Sequence, residues 1–323
     1  MLISDRTTIS FVSKPKGGIY LSTPLVSIGI SFKNPGEFFR LALQSVFAQS
    51  FQDWELILVD DGSSDGSEHF AATLADPRVR LQCDGLSRNL NIRLNQMVTM
   101  ARGRYFFRMD ADDVMHPRRI ERQLAVLQEM SPGTVVGSAA YLIDNFNKLK
   151  GIRPVSAGRL TGFAARHRFI HPTVASTRQW FLENPYSEHF IYHRSQDAEL
   201  WCRTSRCCRI YLMPEPLLFY RQSNNFSFTN YLGSSMGILH LAHSYSKSRY
   251  SYLKQLTLES AKIWLTAALY GCGRTDLILD RRFQPISEAQ RAEAKTMLDS
   301  IAGHPLPQSR HVPAASLVTM AQE

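Results

Sequence analysis

The sequence predicts an α/β fold, in which helices flank a mixed, mostly parallel sheet and a helical extension follows at the C-terminal end. From Pro24 to Ala140, short apolar runs alternate with segments of helical periodicity, as in consecutive βαβ units. Two of these apolar runs end in aspartate clusters. From about residue 231 to residue 302 the pattern is helical. A chain of 323 residues is long enough to bury a core of this kind.

The elements of the sheet follow one another in the first half of the chain. Strands are predicted at residues 25–30, 55–59, 79–83, 105–109 and 134–138. Asn34 is placed to cap the helix after the first strand, with Glu37 three residues later as its capping-box partner. Gly103 is placed to end the helix that precedes the fourth strand. Pro117 opens the next amphipathic helix.

Domain boundaries are expected where this alternation changes. We predict an N-terminal extension (1–23), an α/β domain (24–230) and a C-terminal helical region with a loose tail from His304 (231–323). The α/β domain divides at residue 140. Its second half has short elements at 171–176, 197–203, 209–213 and 217–221, and a polar linker at 222–230.

Composition and charge narrow the classes of protein. The formal net charge of +9 suits an anionic partner such as a phosphate-bearing ligand, an acidic glycan, a lipid headgroup or nucleic acid, but equally an ordinary solvated surface. Five cysteines without regular spacing favour a reducing compartment. The N-terminus lacks the pattern of a secretory signal, and no run reaches the about 20 apolar residues of a membrane span. We therefore expect a cytoplasmic protein.

The aspartate clusters are the candidate metal-binding and ligand-binding residues. Asp60 and Asp61 close the second strand, and Asp110, Asp112 and Asp113 close the fourth. Ligands of open α/β sheets bind outside the carboxyl ends of the strands. Two carboxylates two residues apart can hold a hard divalent cation that also binds a diphosphate. An isolated Asp-x-Asp is more often an acidic turn, but two clusters at strand ends of one sheet favour the functional interpretation.

Several short segments follow one another along the chain. In chain order they are VSI (26–28), ALQSV (42–46), ELILVDDGSSD (55–65), LN (94–95), ARG (101–103), MDADD (109–113), VGS (136–138), HPTV (171–174), QDAELWCR (196–203) and YR (220–221). This ordered set resembles the inverting glycosyltransferase family 2. The resemblance covers about residues 24–222 and implies a Rossmann-like GT-A fold.

The resemblance implies roles for single residues. Asp61 would bind the nucleotide base, and Asp110 and Asp112 would form the Asp-x-Asp element that holds Mn²⁺ or Mg²⁺, with Asp112 as the direct ligand. Asp197 would be the general base that deprotonates the acceptor hydroxyl, as inversion requires. By its position in the strand-end motif, Asp110 would also contact the nucleotide. The acceptor-side candidates are His171, Gln196 and Trp201.

Departures from the family pattern concern donor recognition. Ser31 stands where the family has a proline, and Lys33 where it usually has an aromatic residue, so either could contact the nucleotide. Arg88 lies beside Asn89, where the family usually has glycine, and is a further nucleotide-binding candidate. Gln196 replaces the glutamate that usually precedes the base, which removes one negative charge.

The resemblance also implies partners. These are a nucleoside-diphosphate sugar, with a UDP-sugar favoured, and a glycan or lipid-linked oligosaccharide acceptor, as in the biosynthesis of a bacterial surface polysaccharide such as lipopolysaccharide. No nucleic-acid partner is expected. Two alternatives are a nucleotidyltransferase and a catalytically silent nucleotide- or sugar-binding scaffold on the same fold. The phosphate-binding glycine motifs of ATPases and dehydrogenases do not occur in the sequence.

The C-terminal helical region allows two interpretations. It mixes aromatic, basic and apolar residues, and Ile263, Ala267 and Tyr270 share one helix face. This face would pack against the α/β domain, or the helices would lie on the inner face of the cell membrane with basic side chains on anionic headgroups.

Overall fold

A computed structural model of the chain describes residues 23–155, 169–222, 226–246, 248–274, 277 and 283–308. Residues 1–22 of the predicted N-terminal extension lie outside this range. The strands are β1 (Val26–Phe32), β2 (Trp54–Asp60), β3 (Val79–Gln82), β4 (Tyr105–Asp110), β5 (Val114–Met115), β6 (Thr134–Ile143), β7 (Leu149–Arg153), β8 (Ala175–Thr177) and β9 (Arg209–Arg221). The helices are α1 (Phe38–Phe47), α2 (Ser67–Ala72), α3 (Leu90–Met100), α4 (Arg119–Glu129), α5 (Arg178–Glu183), α6 (Gln196–Thr204), α7 (Phe228–Tyr245), α8 (Arg249–Gly271) and α9 (Glu288–Ala302).

Within the described residues the strands form one nine-stranded sheet in the order β3-β2-β1-β4-β8-β6-β9-β5, with β7 paired to β6. The strands β3, β2, β1 and β4 are mutually parallel, and β9 is parallel to β6. The short strand β8 is antiparallel to both β4 and β6 and joins the two parallel groups. The prediction of a mixed, mostly parallel sheet flanked by helices is confirmed.

The register of the sheet brings the two aspartate clusters to one edge. Ser31 near the end of β1 pairs with Val59 of β2 on one side and with Asp110 of β4 on the other. Since all three strands run in the same direction, the loops that follow them leave from the same edge. The candidate site is therefore at the carboxyl ends of β1, β2 and β4.

Apolar side chains cover both faces of the sheet. On one face α1 and α4 contribute Leu43 and Ile120 to a buried cluster with β1, β2 and β4. On the other face α3, α5 and α6 contribute Met97, Phe181 and Leu200. Each such side chain, once fully buried, stabilises the fold by about 1.5–3 kcal/mol. These two layers hold the strand ends of the candidate site in place.

The start of α1 differs from the prediction. The helix begins at Phe38 without a side-chain cap, so the assignment of Asn34 as N-cap is wrong. Asn34 instead has φ +48°, and its Oδ1 accepts a hydrogen bond from the backbone N–H of Ser64 at 2.7 Å. The N–H of Gly36 donates to Asp65 at 2.9 Å. These bonds tie the loop after β1 to the loop after β2.

Gly103 also has a different role from the predicted one. Helix α3 ends at Met100, three residues earlier. A Cβ on Gly103 would lie 2.6 Å from the backbone nitrogen of Ser27. The N–H of Gly103 donates to the Ser27 hydroxyl at 2.8 Å. The glycine is required because the chain passes directly over β1.

Two strands that the sequence predicts separately form a single strand. Residues 209–213 and 217–221 form the continuous strand β9, and β6 is twice as long as the predicted strand near 134–138. The pairing register of β6 with β9 shifts between Ser138, which pairs with Met213, and Ala139, which pairs with Pro216. Proline lacks a backbone donor, which favours this irregularity in the middle of the strand.

The C-terminal helices contact the α/β domain to different extents. Helix α9 packs against β5, β6 and β9 through Ala294, Leu298 and Ile301. Helix α7 begins inside the predicted linker and packs on α6. The start of the predicted loose tail is in contact with the domain, since the carbonyl of Pro307 accepts a 2.6 Å bond from Ala75 N–H. No helix in the described residues is long and apolar enough to cross a membrane.

Candidate active site

The two aspartates that follow β2 are engaged differently. The carboxylate of Asp60 accepts hydrogen bonds from the backbone N–H groups of Gly62 and Ser63 at 3.0–3.2 Å, so it shapes the turn. The carboxylate of Asp61 instead contacts the loop before α3. Its Oδ1 accepts the N–H of Arg88 at 2.6 Å and the Nε–H of Arg93 at 3.0 Å.

Arg93 fixes the loop that covers Asp61. Its side chain is fully buried, and its Nη atoms donate to both carboxylate oxygens of Asp84 at 2.7 and 3.0 Å. It also donates to Gln96 Oε1 and to the carbonyl of Leu86. Although burial opposes it, hydrogen bonds from Arg93 and from Leu86 N–H lower the pKa of Asp84 to about 2. The loop is therefore held by a buried ion pair.

The other predicted nucleotide-binding residues surround Asp61. Lys33 is exposed, and its Nζ donates to the hydroxyl of Ser87 at 2.7 Å. Ser31 lies between the ends of β2 and β4. The side chain of Arg88 turns away to Asp84 at 3.0 Å, so that its backbone N–H, and not its guanidinium, contacts Asp61.

Three carboxylates meet after β4. Oxygens of Asp110, Asp112 and Asp113 lie within 4.8 Å of one another. Asp112 is exposed as a residue, but burial of its carboxyl end in this cluster and the charge of Asp110 raise its pKa to about 6. Such crowding is unfavourable without a compensating positive charge. Oxygen ligands at this spacing fit a hard divalent cation.

Asp113 extends the predicted pair to a triad. It is fully buried, and its Oδ1 accepts the N–H of Arg221 at 2.8 Å. Its Oδ2 has no hydrogen-bond partner among the described residues. Burial and the charges of Asp112 and Asp110 raise its pKa well above the ordinary value. Asp113 belongs to the aspartate cluster found in the sequence, but no role was predicted for it.

Asp197 is the second residue of α6 and is half-buried. Burial raises its pKa, which the hydrogen bond from Ala198 N–H and the charge of Arg108 partly offset. The position at a helix N-terminus favours the ionised carboxylate. The neighbouring Gln196 is buried, and its Oε1 has no partner among the described residues. Asp197 therefore combines accessibility with a raised proton affinity, as a general base needs.

His171 and Trp201 belong to a buried layer below this site. The Nε2 of His171 lies 3.2 Å from the hydroxyl of Tyr186, and its Nδ1 has no partner within the described part of the chain. Burial and the charge of Arg108 keep its pKa well below the ordinary value, so the ring is neutral. Trp201 is 1% exposed. Its indole packs 5.7 Å from the His171 ring, and its contact with the acceptor remains a prediction.

Arg108, which was not predicted from the sequence, lies two residues before Asp110 on the same side of β4. It is buried and forms an ion pair with Asp110. Its Nε and Nη1 have no partner among the described residues. Its charge lowers the proton affinity of both Asp112 and Asp197. A single arginine in an otherwise apolar strand was the signal that could have identified it.

Comparison with known proteins relates the sequence to a family and to individual relatives. A family model described as Glycosyl transferase family 2 matches residues 27–201, more than half of the chain. EpsE of Bacillus subtilis, named as a glycosyltransferase, is 31% identical over 188 residues, which cover 56% of this chain and 67% of EpsE. An uncharacterized glycosyltransferase of Methanocaldococcus jannaschii is 28% identical over 217 residues, which cover 64% of this chain and 74% of that protein.

Solved structures provide a fold relationship. TarS 1–349 of S. aureus in complex with UDP-GlcNAc has a TM-score of 0.52 at 13% identity, with 70% of this chain and 69% of that chain covered. The same TarS fragment in complex with UDP has a TM-score of 0.52 at 14% identity, with 70% and 68% covered. At this identity the likeness concerns the fold, and it agrees with the Rossmann-like α/β architecture.

Proposed function

The chain is a glycosyltransferase that belongs to glycosyl transferase family 2, and we propose that it transfers a sugar from a nucleoside diphosphate to a hydroxyl of a glycan or lipid-linked acceptor with inversion. The observation that carries this proposal is the joint placement of a carboxylate triad and a half-buried Asp197 around one buried guanidinium, that of Arg108. In this proposal the triad would bind the donor diphosphate, and Asp197 would activate the acceptor.

The proposed step needs a base on the acceptor side. The carboxylate of Asp197 takes the proton of the acceptor hydroxyl. The oxygen attacks the anomeric carbon from the face opposite the diphosphate, a new C–O bond forms, and the bond from the anomeric carbon to the diphosphate oxygen breaks. The nucleoside diphosphate leaves with the bonding electron pair. General-base catalysis of this type contributes about 10²–10⁴-fold.

The triad fits a divalent cation, Mn²⁺ or Mg²⁺. Asp110 and Asp112 would hold it, and the unpartnered Oδ2 of Asp113 is a further candidate ligand. When bound, the cation neutralises the negative charge that develops on the departing diphosphate. Arg108 keeps Asp110 in place through their ion pair. Three carboxylates this close repel one another, and a bound cation would offset that repulsion.

Asp61 would receive the base of the donor nucleotide. It follows β2 at the edge of the sheet, where its N–H donates to the carbonyl of Phe32 at 2.8 Å, and it is bordered by the loop that Arg93 holds. The solved TarS fragment binds UDP and UDP-GlcNAc and shares this fold, which makes UDP the first nucleotide to test.

Nucleotide binding tests the proposal directly. We expect UDP with Mn²⁺ to raise Tm by a few degrees, because a ligand at 100 times its Kd stabilises the folded state by about 2.7 kcal/mol. UDP should raise Tm much less after the metal has been removed with EDTA. CMP should also raise Tm much less than UDP, because it lacks the diphosphate. A thermal-shift assay measures Tm under each condition. Equal stabilisation with and without metal contradicts the metal assignment, and binding without sugar transfer to any acceptor favours the scaffold alternative.

A surface of the C-terminal helices supports a membrane location for this activity. Tyr270 stacks 5.5 Å from Phe228 at the start of α7, so the face predicted to be apolar is turned toward α7. Outside this face, α8 exposes Leu253, Trp264 and Leu265, with Trp264 77% exposed. Tyr250, Arg249 and Lys254 accompany them on the same helix and are exposed. Aromatic, apolar and basic residues in this combination fit an anionic membrane surface.

We expect the full chain to co-sediment with anionic vesicles and to dissociate at high salt. Trp264→Ala with Leu265→Ser should lower the bound fraction, because both side chains are exposed on α8. Leu182→Ser on α5 is the matched control, since Leu182 is also exposed but lies outside the C-terminal region. Equal recovery in the supernatant with anionic and neutral vesicles at low salt would contradict a membrane location.

A further inference from the structure

The two oxygens of the Asp61 carboxylate are not equivalent. Oδ1 accepts two hydrogen bonds, from Arg88 N–H at 2.6 Å and from Arg93 Nε–H at 3.0 Å. Oδ2 accepts one long bond among the described residues, from the hydroxyl of Ser87 at 3.3 Å. An sp² carboxylate oxygen accepts about two strong hydrogen bonds. Oδ1 is therefore saturated, and Oδ2 is the oxygen left to receive a ligand donor.

This asymmetry discriminates between nucleobases. Uracil and thymine present one ring N–H between two carbonyls, which matches one available oxygen. Guanine presents two adjacent N–H donors, which pair with both oxygens of a free carboxylate. Cytosine and adenine present a ring nitrogen lone pair, which a carboxylate repels. A polar group left unpaired in a buried site weakens binding strongly, so one saturated oxygen is enough to select.

The donor that saturates Oδ1 is itself immobile. All five N–H groups of Arg93 are used, on Asp61, Asp84, Gln96 and the carbonyl of Leu86. Its side chain is fully buried. Beside it, a Cβ on Gly62 would lie 3.3 Å from the backbone of Leu86 and Ser87, so the covering loop packs directly on the turn after β2. Asp61 cannot rotate without breaking this arrangement.

Lys33 lies on the Oδ2 side of the Asp61 carboxylate. Its Nζ donates to Ser87 Oγ at 2.7 Å, the same hydroxyl that donates to Oδ2. An ammonium group has three N–H donors, so two remain on Lys33. They are available to a carbonyl oxygen of the bound base that is adjacent to its ring N–H.

We propose that Arg93 is a specificity-determining positioning residue: by occupying Oδ1 of Asp61 it leaves a single acceptor and so selects uracil or thymine diphosphates over guanine and cytosine diphosphates. The inference rests on the proposed function, because it concerns the donor nucleotide of the same site. It assigns base selection to a residue that does not itself touch the base.

The proposal is tested by calorimetry on the full chain, which gives the dissociation constants of UDP, GDP and CDP in the presence of Mn²⁺. The wild type should bind UDP at least about tenfold more tightly than GDP or CDP. In Arg93→Met, Oδ1 keeps only the bond from Arg88 N–H, so it can accept a ligand donor and the carboxylate can rotate. UDP binding should weaken and the ratio of the GDP to the UDP constant should fall at least about tenfold.

Arg80→Met is the matched control. Arg80 also pairs with a buried acid, Glu55, at 3.2 Å, and donates to the carbonyl of Met100 at the far end of α3. Its loss should lower Tm but leave the GDP-to-UDP ratio unchanged. If Arg93→Met does not fold, Asp84→Asn is used. This substitution removes the ion pair that holds the Arg93 guanidinium, but it leaves the arginine side chain in place.

The outcomes separate the two proposals. If the wild type binds none of the three diphosphates, the proposed function fails and the inference fails with it. If the wild type prefers UDP and the Arg93 and Asp84 variants keep the wild-type ratio, the inference alone is overturned. A ratio that falls in these variants and not in Arg80→Met supports it, since a general loss of stability would weaken all nucleotides equally.

Discussion

Replacing Asp197 by Asn is expected to lower kcat by about 10²–10⁴-fold or more and to leave the Kd for the donor nearly unchanged. The amide has almost the same shape as the carboxylate but cannot take a proton. Asp197 lies on α6, away from the Asp61 contacts that would hold the nucleotide. Steady-state kinetics give kcat, and calorimetry with UDP gives the Kd.

Glu199→Gln is the matched control for this variant. Glu199 lies two residues further along α6 and forms an ion pair with Arg203 at 2.7 Å. Its substitution removes one carboxylate from the same helix and should change kcat only slightly. A similar loss in both variants would indicate a general effect on α6. Retention of the anomeric configuration in the product, measured by NMR, would contradict the role of Asp197 and the inverting mechanism.

The pH dependence of the wild type provides a second measure of the same residue. A general base acts only when it is deprotonated, so kcat/KM should fall as the pH drops through its pKa. Burial and the charge of Asp110 raise the pKa of Asp197, and Arg108 and the Ala198 N–H lower it in part. The net direction is upward, so the acid limb should lie above the value of about 3.9 for an ordinary aspartate. The acid limb should disappear in the residual activity of Asp197→Asn.

Replacing Asp112 by Ala is expected to lower turnover at least about a hundredfold, the loss typical when one group that stabilises a developing negative charge is removed. Asp112 is the exposed member of the triad, so its loss leaves no cavity in the core. The fold should therefore remain intact, with a circular dichroism spectrum like that of the wild type.

A second readout of Asp112→Ala does not depend on activity. In the wild type we expect Mn²⁺ to increase the Tm shift caused by UDP, and in the variant this increase should be lost. Asp76→Ala is the control, because Asp76 is paired with Arg78 at 2.9 Å before β3 and takes no part in the triad. Near-normal activity of Asp112→Ala in EDTA-treated buffer would contradict the metal assignment.

Local patterns in the sequence determined the first four strands and the position of the aspartate clusters. Strand periodicity depends on neighbouring residues, so β1 to β4 were predicted close to their observed limits. The clusters follow β2 and β4, and parallel strands necessarily bring their carboxyl ends to one edge. The family resemblance gave Asp197 the role of general base, and that role remains a prediction.

Contacts between distant segments decided the rest, because no local pattern specifies them. Asn34 fits a helix cap by sequence, but it binds the loop after β2, 30 residues away. Trp201 is an acceptor-side candidate by motif, and tertiary packing buries it in the core. Arg93 and Arg108 look like surface arginines of a helix and a strand until the fold buries them beside Asp61 and Asp110. A buried charge needs a partner, and only the tertiary structure determines which one it has.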